Sequence, residues 1–219
     1  MVISSLRTYI WMEGLDKMAN TRRIPVGISA RHVHVSQEHL ELLFGPGYEL
    51  TPFKDLSQPG QYAAEEKVTL VGPKGILQNV RILGPSRKAT QVEISRTDCF
   101  ALGVNAPVRE SGDIEGTPGI VIVGPYGPVK LEQGVIVAKR HIHFTPEIAE
   151  EFGVKDGEEI MVKTEGERPL IFDSVVVRVR EDFDLDMHLD TDEANAAGLR
   201  QGDTVTVVDR ATAEAIRKA

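Results

Sequence analysis

One cysteine, Cys99, is present in 219 residues, so no internal disulfide can form and the chain suits a reducing compartment such as the cytoplasm. Basic side chains are in deficit. Against 33 Asp and Glu stand 25 Lys and Arg, and the formal net charge of −8 argues against nucleic acid or an anionic membrane as the main partner. An anionic substrate would have to be met by local basic residues. No apolar run approaches the roughly 18 residues that a membrane span needs. The apolar fraction of 41% and the charged fraction of 26% are ordinary, and the length allows one large or two small globular domains.

Histidine is scarce as well, yet four of the six sit in two copies of one signature, Ala30-Arg31-His32-Val33-His34 and Lys139-Arg140-His141-Ile142-His143. Side chains at i and i+2 of a β-strand share a face, so each His-x-His presents two imidazoles side by side. Each pair is half of a zinc site.

From Val26 onward the chain repeats itself. Val26–Ser36 leads into Glu38-His39-Leu40, and Val135–Thr145 leads into Glu147-Ile148-Ala149, each reading as strand, His-x-His, cap and helix. Ser36 and Thr145 are good N-caps, Pro146 suits the first helical position, and the helices should end near Gly45 and Gly153. Short β-type runs follow in both copies: Lys67–Val71 and Val80–Leu83 in the first, Ile160–Lys163 and Val175–Val179 in the second. Many short strands with frequent turn signals and few helices predict a mainly β protein, with two tandem small β-barrels from an internal duplication, each capped by short α-helices. The expected organisation is an N-terminal amphipathic helix and linker over 1–23, a first barrel over 24–115, a structured crossover over 116–134 that contains the strand Ile120–Val123, and a second barrel over 135–219.

The repeat also supplies a third ligand to each site. Aligning Gly103 with Gly198 sets Glu93 opposite His188, whereas aligning the two Thr-Asp pairs sets it opposite Met187. Alternation decides: Val92 and Ile94 face a core, as do Met187 and Leu189, which leaves Glu93 and His188 on the polar face. The candidate sites are His32, His34 and Glu93, and His141, His143 and His188, each with one position left open as in catalytic zinc centres. Outside these, His39 has no counterpart and reads as a surface residue. Glu38 and Glu147 suit the positive end of a helix dipole. Cys99 reads as a small packed residue. Gly84-Pro85-Ser86-Arg87-Lys88 is a turn that brings positive charge close to Glu93, and Arg87 has the geometry for an oxyanion.

Together these residues resemble the phosphate propanoyltransferases, the metal-dependent phosphotransacylases of propanediol-utilising bacteria and their microcompartments. The resemblance spans about Ile24 to Val208 and rests on Ser29–His34, Gly84–Arg87, Glu93–Asp98, Pro107–Asp113 and Lys139–His143. It implies two barrels with helical caps, two zinc ions per chain and reversible exchange of a short-chain acyl group between coenzyme A and phosphate. Arg87 would handle phosphate. The coenzyme A sulfur is expected at His32, His34 and Glu93, with phosphate near His141, His143 and His188 attacking the thioester directly and forming no acyl-enzyme. A homo-oligomer, as a dimer, is also expected; family members differ in whether a microcompartment-targeting helix is present, so residues 1–20 read as a helix packed on the body, as an address tag reaching shell or lumen partners, or as an over-called start. Two other classes share these ligands: a binuclear zinc thioester hydrolase, and a cupin-like binding module that would recruit Glu38 and Glu147 as ligands.

Overall fold

The computed structural model describes residues 22–219, so the helix and linker expected over 1–23 lie almost wholly outside the described residues. The first repeat runs β1 (Arg23–Ser29), β2 (His32–His34), α1 (Gln37–Phe44), β3 (Pro52–Asp55), β4 (Tyr62–Val71), β5 (Ile76–Gly84), β6 (Gln91–Glu93), α2 (Arg96–Leu102) and β7 (Val108–Arg109). A hairpin of β8 (Val121–Val123) and β9 (Pro128–Lys130) follows. The second repeat runs β10 (Val135–Ala138), β11 (His141–Phe144), α3 (Pro146–Phe152), β12 (Glu159–Lys163), β13 (Ile171–Val179), β14 (Asp186–Asp190), α4 (Thr191–Ala197), β15 (Thr204–Val207) and α5 (Arg210–Lys218). Among the described residues no helix is long and apolar enough to cross a membrane.

The protein is mainly β, and its two sheets differ in closure. Strands β1-β14-β11-β13-β12-β15 form a closed barrel, while β7-β10-β6-β2-β5-β4-β8-β9, with β3 alongside β4, form a curled sheet that remains open. Each has its own core. Leu40, Leu43, Leu70, Ile82 and Val92 lie in one; Ile142, Phe144, Val177, Met187 and Leu189 lie in the other.

The leading strand of each repeat sits in the other repeat's sheet. β1 pairs parallel to β14 and antiparallel to β15, inside the barrel of the second repeat. β10 pairs parallel to β6 and β7, inside the sheet of the first. Ile24 and Val26 are therefore fully buried in the second core, and Val135 is fully buried in the first. Strand pairing thus crosses the boundary expected at 116–134. That segment is itself part of the first sheet, because β8 runs antiparallel to β4 and Val135 N donates to Pro118 O at 3.0 Å. Gly119 permits this approach, since a Cβ there would lie 1.9 Å from Leu131 O.

The exchange determines where the histidines go. Only Ala30 and Arg31 separate β1 from β2, and only Lys139 and Arg140 separate β10 from β11. At both joints the chain passes from one sheet to the other within two residues, so the sheets must touch where each His-x-His begins.

Neither half should fold by itself. Removing β1 strips two fully buried aliphatic side chains from the barrel, about 3–6 kcal/mol, and leaves β14 and β15 with open edges, against the 5–15 kcal/mol that holds a typical domain together. Residues 135–219 and residues 24–134, expressed separately, should each lack a cooperative thermal transition by circular dichroism. A cooperative melt from either fragment alone would show the exchanged strand to be dispensable.

Candidate metal centres and their cavity

Register delivers the third member of each group. In the antiparallel pair of β2 and β6, His32 lies opposite Glu93; in that of β11 and β14, His141 lies opposite His188. Val92, Ile94, Met187 and Leu189 point into the cores behind them, and alternation turns Glu93 and His188 the other way. His32, His34 and Glu93 gather in one cluster and His141, His143 and His188 in a second, the potential ligand atoms in each lying within 4.8 Å of one another.

Glu93 bridges its cluster, with Oε2 3.4 Å from His32 Nε2 and Oε1 3.7 Å from His34 Nε2. In the second cluster the ring centroids are 4.7 to 5.0 Å apart. One device is repeated in both. His32 Nδ1 donates to Ala30 O at 2.8 Å, and His141 Nδ1 donates to Lys139 O at 2.9 Å. A carbonyl can only accept, so each ring carries a proton on Nδ1, which leaves Nε2 as the nitrogen available to an ion. His34 Nδ1, His143 Nδ1 and His188 Nε2 are buried without a hydrogen-bond partner, although buried polar atoms almost always have one. A metal ion would satisfy those that face the clusters, and three nitrogen or oxygen donors with an open position suit zinc.

The electrostatics of the two clusters differ. Burial, helped by neighbouring imidazoles, pushes His34 down to about 3, His141 to about 4 and His143 to about 2, and burial lowers His188 as well. These rings are neutral lone-pair donors at physiological pH. Burial would also lower His32, but the Glu93 carboxylate beside it outweighs burial and raises it. Glu93, despite its own burial, is held well below the usual carboxylate range by His32, His34 and a hydrogen bond from Ser111. The first cluster therefore favours a cation through a buried carboxylate, and the second offers three neutral rings close to Arg178 and Arg180.

A second duplicated device fixes the third members. Ser95 and Asp190 cap α2 and α4 in capping boxes closed by Asp98 and Glu193. Those two carboxylates take the arginines that precede each His-x-His: Arg31 grips Asp98 at 2.7 and 2.9 Å, and Arg140 reaches Glu193 at 2.7 Å. The helix that follows Glu93 or His188 is thereby tied to the residue before its partner histidines. The supports then diverge. Gln91 and Ser111 donate to Glu93 at 2.6 and 2.8 Å. In the second repeat Asp186 lies 3.6 Å from His188 Nε2, and Gly27 makes room for it, since a Cβ there would meet Asp186 Oδ2 at 2.8 Å.

Both clusters open onto one cavity of about 770 Å³, whose walls include Arg87, Ser111, Arg178, Arg180 and Phe183. Between the clusters a gap of about 30 Å³ is lined by matched positions of the two repeats, Ala30 with Lys139, His32 with His141, and Glu93 with His188. Arg87, anticipated from the sequence, is on the cavity wall and donates to Ser111 Oγ at 3.1 Å, while Lys88 is exposed and away from it. Glu38 and Glu147 are exposed in first helical turns and belong to neither cluster. Cys99 is packed in the first core. His39, expected on the surface, is instead half-buried, because the buried Thr90 hydroxyl lies 2.7 Å from its Nδ1. Sequence reasoning passed over Arg178, Ser111, Gln91 and Asp186. Arg178 had a signal, as the one charged residue in the run Val175–Val179.

Residues 25–200 match the family described as phosphate propanoyltransferase. The chain is 66% identical over 187 residues to the phosphate propanoyltransferase of Thermotoga maritima, covering 85% of this chain and 89% of that relative. It is 59% identical over 179 residues to that of Listeria monocytogenes, covering 82% and 84%. With that of Clostridioides difficile it shares 50% identity over 209 residues, 95% of this chain and all of the relative. The class defined by these matches is an enzyme, a phosphotransacylase. Within that class the chain belongs to the phosphate propanoyltransferase family.

Two outcomes follow from the clusters. Asp98→Asn should weaken the charged contact with Arg31 by about 2 kcal/mol, lowering the melting temperature by roughly 4–8 °C and metal retention by about tenfold, read by scanning calorimetry and metal titration. The second outcome concerns pH. With His34, His141 and His143 depressed below 6.5 in the fold, the unfolded chain takes up protons first as the medium is acidified. Stability of the metal-stripped protein should be full above about 6.5 and decline toward pH 4, where His141 begins to protonate in the fold. His32, raised, works in the opposite direction but is outnumbered. Thermal melts of chelated protein at about pH 7 and pH 5 decide this, and a higher melting temperature at the lower pH would mean that the His32–Glu93 pair dominates.

Proposed function

We propose that the protein reversibly transfers a propanoyl, acetyl or similar short-chain acyl group between coenzyme A and inorganic phosphate. Zinc would be held by His32, His34 and Glu93 and by His141, His143 and His188. The observation that carries this reading is the shared cavity: two metal-binding clusters and several guanidinium groups face one space in a chain of net charge −8. When bound, zinc supplies Lewis acidity that stabilises a leaving thiolate and a developing oxyanion.

The chain's own residues do the rest. Arg87, anchored at its backbone by Val35 O at 2.8 Å and at its side chain by Ser111, presents a fork that fits phosphate oxygens. Ser111 joins that arginine to Glu93, so the phosphate-binding group and the first cluster are held by one hydroxyl. Held there, a phosphate oxygen attacks the thioester carbonyl carbon. The new C–O bond replaces the C–S bond, and coenzyme A departs as the thiolate. Arg87 stabilises the negative charge in the transition state, the kind of interaction that contributes most in acyl transfer. No acyl-enzyme is needed, in keeping with the burial of Cys99 in the core. On the same reading the working assembly is a homodimer, and residues 1–23 direct it to a microcompartment lumen.

The test is formation of thioester from acetyl-, propanoyl- and butanoyl-phosphate with coenzyme A, before and after removal of bound metal by chelation. Activity should vanish on stripping and return with zinc. Arg87→Met should lower kcat/KM by about a hundredfold, while Cys99→Ala should leave turnover intact. Release of free acid from acyl-CoA without any need for phosphate would instead establish a hydrolase.

A further inference from the structure

We infer that Arg178 is a second phosphate-binding side chain, contacting the phosphate oxygens from the side of the His141, His143 and His188 cluster while Arg87 contacts them from the other. The inference rests on the phosphate-transfer reading above and adds a residue to it.

Placement is the first argument. β13 runs parallel to β11 with Arg178 beside His143. In the first repeat β5 runs parallel to β2 with Arg81 beside His32 and Ile82 beside Val33, so the place beside His34 falls to Leu83. One position of the duplicated frame thus carries an apolar side chain next to the first cluster and a guanidinium next to the second. Arg178 and Arg87 line the same cavity.

Partnership is the second. Arg140 is held by Glu193, and Arg180 by both oxygens of Asp182 while it stacks over Phe183 at 4.8 Å. Phe183 in turn covers His143, with ring centroids 4.1 Å apart, so Arg180 is a fixed part of the wall. Among the described residues no carboxylate pairs with Arg178. Its positive charge reaches Arg87 across the cavity, where it adds to burial in lowering that guanidinium. Two guanidiniums that repel one another across a cavity, one lacking a carboxylate, are stabilised together by an anion between them. Phosphate has enough oxygens to receive both forks.

Coenzyme A also carries phosphates, so the experiment must separate the two sources. Zinc-loaded full-length Arg178→Met and Arg178→Lys are compared with wild type in the acyl-phosphate-forming direction, varying inorganic phosphate and propanoyl-CoA separately. Binding of inorganic phosphate alone is followed by calorimetry. Arg178→Met should raise the phosphate KM and Kd by about 10- to 100-fold, and Arg178→Lys by less, because the charge remains but the fork is lost. The propanoyl-CoA KM should stay within about twofold, and metal content should match wild type. Should Arg178→Met fail to fold, Arg178→Lys decides on the same readings. An unchanged phosphate KM and Kd, a rise confined to propanoyl-CoA, or loss of metal from both variants would each overturn the inference, the last two in favour of a coenzyme A contact and a structural prop. Absence of phosphate-dependent transfer in wild type would overturn the functional reading itself, a result distinct from Arg178 variants that behave like wild type.

Discussion

Everything about this site depends on the two-residue passage from β1 to β2 and from β10 to β11. A chain that changes sheet within two residues leaves no room between the sheets at that point. Both His-x-His strands begin at such a passage, so two sites built within separate sheets are forced to face each other. Had each leading strand stayed with its own repeat, the duplication would have produced two independent barrels, each with a histidine cluster of its own and nothing to hold the clusters together. The matched lining of the gap between them is the geometric mark of that exchange. Site assembly and the joining of the halves are one structural event.

Within this frame the halves have moved apart in charge. Glu93, Gln91 and Leu83 surround the first cluster, and His188, Asp186 and Arg178 hold the matching places around the second. A divalent ion beside the Glu93 carboxylate would have half its charge offset by a ligand. One among three neutral imidazoles would keep its full charge, with guanidiniums nearby. On the proposed reading the second place would suit an anion, and the first a leaving group that departs with its charge only partly held. The supports track the ligands. Glu93, an acceptor, is surrounded by the donors Gln91 and Ser111, while the His188 ring has a carboxylate 3.6 Å away.

Period-two alternation is a local property, and what depended on it was legible. It separated the Val92 and Ile94 face from Glu93, and the Met187 and Leu189 face from His188, which is why the register could be decided before any strand was placed. The strand exchange was not legible for the complementary reason. Ile24 and Val26 make the same alternating pattern whether their neighbours are β14 and β15 or β6 and β7, and pairing between distant strands leaves no local trace. Closure of one sheet but not the other was hidden in the same way, in the β8–β9 hairpin on β4. The helices α2 and α4 did leave a trace, Ser95-x-x-Asp98 and Asp190-x-x-Glu193 followed by Gly103 and Gly198. Their significance appears only when Arg31 and Arg140 are seen to reach back to them.

The unsatisfied nitrogens of His34, His143 and His188 bear on how the halves stay joined. Without an ion, each is a buried polar atom that has lost water and gained nothing, a cost of about 1–3 kcal/mol apiece. These penalties fall where the two sheets meet, and one of them, at His188, falls on β14, whose neighbours β1 and β11 belong to different repeats. An ion that removes them stabilises the fold along with the site, because the unfolded chain has no such cluster to offer. The arginine clamps on Asp98 and Glu193 keep the ligand strands in place before any ion arrives, so the cost is carried by a preformed site and is recovered on binding. The interior of the seam thus holds side chains able to bind a metal where a simpler duplicated fold would place aliphatic ones.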